Sequence, residues 1–147
     1  LPVLGKLIFL LMMTGTSLTS NENERQCSVK YSTVFVSRIE DLPEEIQKDI
    51  LKDGEVANPR KPFQAYDVIQ PGLPNRRLVL AGHSGDRWFV WIDHGGYNRH
   101  DDVLGFSQLW EKVDVFRWFR AAELQGEPCI GINAFLDGVG TPARSEH

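Results

Sequence analysis

The sequence predicts an α+β fold, a mainly antiparallel β-meander of about four to five strands with one helix packed on a face. Three observations carry this prediction. Residues 76 to 107, RRLVLAGHSGDRWFVWIDHGGYNRHDDVLGFS, read as three consecutive strands joined by two glycine-containing turns. An amphipathic helix pattern starts at Asp41. A further run from Val113 to Arg120 is rich in the aromatic and β-branched residues that suit a pleated strand.

Taken in order, residues 1 to 20 read as a signal peptide. Lys6 precedes an apolar run, Leu7 to Met13, and small polar residues follow to Ser20. The run is shorter than the roughly 20 apolar residues that span a bilayer, so no stable membrane insertion is expected once the signal is cleaved. Residues 21 to 139 are expected to form one globular α+β domain, and 140 to 147 a disordered polar tail.

Export changes how the cysteines are read. The chain has two, Cys27 and Cys129. In an oxidising compartment they are expected to pair. Closing so long a loop stabilises by about 4–5 kcal/mol on the chain-entropy account. Two cysteines without CxxC spacing make no zinc site.

Ser28 to Ser37 alternates enough to be a strand candidate. Asp41 then stands as N-cap, with Glu44 three residues on completing a capping box. Leu42, Ile46 and Ile50 share one stripe, and Gly54 is a natural stop. Residues 54 to 75 hold Pro59, Pro62, Pro71 and Pro74 and read as an irregular packed connection.

The middle strand of the meander, Arg87 to Asp93, is apolar on both faces. Trp88, Val90 and Ile92 face one way, Phe89 and Trp91 the other. Both faces therefore need cover, from a helix on one side and a loop or second layer on the other. The competing expectation is that Phe89 and Trp91, with Tyr97, present a partner-binding patch, since large aromatics dominate such surfaces. Gly126-Glu127-Pro128 is a turn. Ile130 to Leu136 fits a strand by alternation, with a helical turn over Asn133 to Gly138 as the rival reading.

Several of these residues form a pattern: Pro62-Phe63, Ala65, Asp67-Val68, Arg76-Arg77-Leu78-Val79, Ala81-Gly82, Asp86 to Val90 and His94-Gly95-Gly96. It resembles a pattern in small exported bacterial proteins of unassigned function. The resemblance implies an envelope location and a single small domain. It implies no activity and no catalytic residues.

Chemistry-bearing residues are few. Gly82-His83-Ser84-Gly85-Asp86 fails as a nucleophile elbow, because Asp86 stands where glycine is needed and strands flank it on both sides. Asp93, His94, His100 and Asp102 are the metal candidates, since cross-strand neighbours bring imidazole and carboxylate together. No catalytic residue and no cofactor is assigned. The formal net charge of −4, without a basic cluster, argues against nucleic acid as partner. The leading functional expectation is a non-enzymatic periplasmic or secreted protein that binds another envelope protein, as an inhibitor or immunity-type factor. One alternative is a small metal-dependent or hydrolytic enzyme using the His/Asp cluster. Another is a structural envelope protein without a defined ligand, which full burial of Phe89 and Trp91 would favour.

Overall fold

The computed structural model describes residues 27 to 140. The expected signal segment, 1 to 20, and the tail beyond Gly140 lie outside the described residues. The elements run β1 (Val34–Val36), a 3-10 turn (Ile39–Asp41), α1 (Glu44–Leu51), β2 (Val56–Ala57), β3 (Arg76–Ser84), β4 (Arg87–His94), β5 (His100–Lys112), β6 (Val115–Gln125) and α2 (Pro128–Leu136). The sheet order is β1-β3-β4-β5-β6, with every neighbouring pair antiparallel, and the short β2 adds to β3 in parallel. The fold is α+β around an antiparallel meander.

The meander closes through turns of different build. Ser84 pairs with Arg87, so Gly85 and Asp86 alone make the first turn. Gly85 has φ 58° while Asp86 does not enter the left-handed region, the pattern of a type II′ hairpin. The second connection is longer, because His94 pairs with His100 and residues 95 to 99 loop out. Gly95 is there for closeness: a Cβ on it would sit 1.6 Å from the Gln64 carbonyl oxygen.

One helix was expected and two are present among the described residues, because β4 is apolar on both faces. On one face Trp88, Val90 and Ile92 pack with Leu104, Phe106 and Leu78 beneath Ile46 and Ile50 of α1. On the other, Phe89, Trp91 and Val103 pack beneath Ile132, Phe135 and Leu136 of α2. Gly105 on β5 lets the Phe135 ring lie against the sheet, since a Cβ would come within 2.3 Å of that ring. Residues 130 to 136 are thus helical rather than extended. Glu127 caps the helix by accepting from the Ile130 amide at 2.7 Å, and Pro128 occupies its first turn.

Two expected boundaries move. Helix α1 begins at Glu44 with Pro43 as N-cap and without a side-chain cap. A residue before proline is pushed out of the helical region, and Leu42 is accordingly extended with ψ 154°. Asp41 instead ends the 3-10 turn and pairs with Arg38 at 3.2 Å. The strand expected over Ser28 to Ser37 shrinks to Val34–Val36. Its first half bonds to a side chain rather than a strand: the Lys30 amide donates to Asn133 Oδ1 at 2.9 Å, and Asn133 Nδ2 donates to the Ser28 carbonyl at 3.0 Å.

Cys27 and Cys129 form a disulfide with 5.2 Å between their Cα atoms. It joins the start of this N-terminal segment to the first turn of α2. Among the described residues no helix is long and apolar enough to cross a membrane.

Candidate functional site

Strand β4 decides the fate of the candidate residues, because successive side chains alternate between its faces. Phe89 is 0% and Trp91 3% exposed. Both lie in the core beneath α2, and Trp91 uses its one polar atom inside the fold, Nε1 donating to Asp101 Oδ1 at 2.9 Å. They offer no surface to a partner, so the expected patch on the meander does not form from them. Tyr97, in the loop between β4 and β5, is 94% exposed.

Alternation also separates Asp93 from His94. Asp93 is buried on the α2 side and is held by Arg99, whose Nε and guanidinium NH2 donate to its two oxygens at 3.1 and 2.8 Å. Arg77 lies 3.9 Å from the same carboxylate, and both guanidiniums lie over the Phe63 ring. Asp93 is the anion of an arginine cluster and stands apart from the histidines.

His94, His100 and Asp102 come together on the α1 side. His94 and His100 are direct partners in the last pair of the β4–β5 ladder, and Asp102 follows two residues along β5 on the same face. The imidazoles stack with centroids 4.5 Å apart and planes within 8° of parallel. His94 Nε2 lies 2.8 Å from Asp102 Oδ2, and His100 Nε2 lies 3.5 Å from the same oxygen. One nitrogen or oxygen from each of the three lies within 4.8 Å of the others. Burial pushes the His94 pKa below the ordinary histidine value; Asp102 opposes that shift, while His100 and Arg76 add to it. Burial thus favours the neutral form of the His94 ring. Its neighbour across the β3–β4 ladder, Arg76, donates to the Ile50 and Gly54 carbonyls at the end of α1, at 2.9 and 2.6 Å.

His83 takes no part in this group. It pairs with Trp88, six residues back along β4, a separation of about 20 Å at strand rise. Its ring lies over Trp88 at 4.5 Å, and Nδ1 meets the Gly85 carbonyl at 3.2 Å.

A feature that sequence reasoning missed lies beside the Gly95 contact. Gln64 is buried, yet its side chain faces a loop rather than a strand. Its Nε2 donates to the Tyr66 carbonyl at 2.8 Å and to the Val68 carbonyl, and its Oε1 accepts from the Gln70 amide at 2.7 Å. The loop so held turns Tyr66, Val68 and Ile69 outward, Ile69 at 83% exposure. The sequence carries no signal for this clamp, because its partners are backbone groups of the loop itself. A separate cleft of about 520 Å³ opens beside the disulfide, between Phe35, Val79, Leu80 and Arg60. Among the described residues neither a histidine nor a carboxylate lines it.

No protein-family model matches the chain, and neither a curated protein nor a solved structure matches it.

Proposed function

We propose that this chain is a small exported, non-enzymatic protein that binds another protein of the envelope, and that its contact surface is the loop tip Tyr66, Val68 and Ile69 with Tyr97 beside it. The observation that carries the reading is the Gln64 clamp. A buried amide spends three hydrogen bonds on ordering a loop whose apolar side chains point to solvent. Scattered exposed apolar residues need no explanation. A loop ordered so as to expose several together is different, because ordering it in advance removes part of the entropic cost of association. Tyr97 is included because it follows Gly95 by two residues, and the Gly95 backbone packs against Gln64 and Ala65. The Cys27–Cys129 bridge supports the exported half of the reading, since such bonds persist in oxidising compartments.

The test compares capture of envelope proteins by the wild type, by the double variant Ile69→Ser/Tyr97→Ser, and by Trp110→Ser on a distant exposed aromatic. The expected result is a stoichiometric partner retained by wild type and Trp110→Ser and lost by the double variant, with all three equally folded by circular dichroism. Equal capture by the double variant would remove this surface.

The burial of Phe89 and Trp91 favours a second reading, a structural envelope protein without a defined ligand. In that case none of the three proteins captures a stoichiometric partner.

A further inference from the structure

Two buried aspartates sit at the same end of the sheet, on opposite faces, and they are satisfied differently. Asp93 receives two permanently charged guanidiniums. Asp102 is only 4% exposed and has no arginine or lysine ion pair among the described residues; its neighbours are two imidazoles. Its Oδ1 is buried without a hydrogen-bond partner among the described residues. A buried carboxylate oxygen left in this condition requires a cause.

The protons on His100 sharpen the point. Its Nδ1 lies 2.7 Å from the Asn98 carbonyl oxygen. A carbonyl only accepts, so Nδ1 carries the hydrogen. In the neutral tautomer with that hydrogen, the Nε2 lone pair points towards Asp102 Oδ2, 3.5 Å away. In that tautomer two acceptors face each other across the gap. A ring whose far nitrogen is fixed by a backbone carbonyl, with its lone pair presented to a carboxylate, is the arrangement in which histidine serves as a metal ligand.

We propose that His94 Nε2, His100 Nε2 and Asp102 form a three-ligand site for a divalent transition metal of the zinc class, with a fourth position open towards solvent. Tetrahedral zinc, with bonds of about 2.0–2.1 Å, spaces its donors about 3.3–3.4 Å apart. The His100–Asp102 separation of 3.5 Å already matches. Binding replaces the 2.8 Å contact of His94 Nε2 with Asp102 Oδ2, a proton on that nitrogen leaving to solvent as it takes the metal. Two imidazoles and one carboxylate select zinc-class ions over magnesium and calcium, which prefer all-oxygen sites. Both cysteines are in the disulfide, so thiolate does not compete for the ion.

The experiment uses the oxidised protein without a histidine tag, stripped with chelator and titrated with Zn²⁺ by calorimetry and with Co²⁺ by visible absorption. The wild type is expected to bind one equivalent of Zn²⁺ and to give the intense visible bands of four-coordinate Co²⁺. Mg²⁺ and Ca²⁺ are expected to give no heat of binding. His94→Ala, His100→Ala and Asp102→Asn are each expected to weaken Zn²⁺ binding more than about tenfold. His83→Ala and His147→Ala, which remove the other two histidines of the chain, are expected to bind as wild type. Should Asp102→Asn or His94→Ala fail to fold, His100→Ala, altering a partly exposed ring, decides the matter. Absence of stoichiometric binding by the wild type overturns the proposal. So does wild-type affinity in His100→Ala, or a loss in His83→Ala or His147→Ala as large as in the cluster variants.

Discussion

Trp91 acts through burial rather than through contact with a partner. Its ring lies between the sheet and α2, and its indole N–H is matched by Asp101. Trp91→Ala is therefore expected to cost about 3–5 kcal/mol of unfolding free energy, read as a lowered urea midpoint with little change in slope. A loss below about 1 kcal/mol, the range of surface substitutions, would contradict the packing described. Which face each β4 residue takes was legible, because alternation alone assigns it. What covers each face was not, because alternation is silent about the opposing layer. The same rule, applied one residue further, separates Asp93 from His94. Grouping those two as metal candidates read nearness along the chain as nearness in space. His94, His100 and Asp102 were legible as a group because cross-strand pairing over a short loop brings them together. The Gln64 clamp was not legible, since its partners are backbone carbonyls and an amide whose positions depend on the loop itself.

At the scale of elements, the N-terminal segment and α2 define each other. Asn133 bonds the segment's backbone, while Lys30 and Tyr31 both donate to the Asp137 carboxylate at the helix C-terminus. The hydrogen bonds from Tyr31 and then Lys30 hold the Asp137 pKa below the ordinary carboxylate value. The bond to Asp137, with partial desolvation, raises that of Tyr31. The depressed Asp137 contributes stability above the ordinary aspartate pKa, lost as pH falls through its lowered value. The raised Tyr31 contributes below the ordinary phenol pKa, lost as pH rises through its raised value. The strap is thus docked across the middle range and loosened at both extremes. An NMR titration should find Tyr31 returning to its ordinary pKa in Asp137→Asn; an unchanged Tyr31 titration in that variant would rule out the contact. Helix α2 was the element least legible in the sequence. Ile130, Ile132, Ala134 and Leu136 alternate like a strand, and the spacing of Ile132, Phe135 and Leu136 that the fold uses is equally present. Glu127-Pro128, a cap followed by a first-turn proline, was the signal that separates the two. Strands β5 and β6 also run beyond β4 as a two-stranded arm. On it Trp110 packs on Phe116, and Phe116 on Trp118, which reaches Trp88 in the core.

At the scale of the whole molecule, the described residues form a sheet between two helices, with a bridge spanning 102 residues of sequence. Reducing that bridge is expected to lower the unfolding free energy by about 4–5 kcal/mol. Parallel urea melts of oxidised and reduced protein check this, and superimposable curves would show that the bridge constrains nothing. The meander, the disulfide partners and the α+β class could be read from the chain because each depends on local pattern or on the presence of just two cysteines. The number of layers could not, since it depends on how distant elements divide one apolar sheet between them. The apolar loop tip, which the fold orders and does not cover, is where the account places function. Its most direct test is a photo-crosslinking residue introduced in turn at positions 69, 97 and 110 of the protein in its own host cells. The account predicts the same adduct from positions 69 and 97 and none from 110. An adduct from position 110 alone, or none from any of the three, would contradict it.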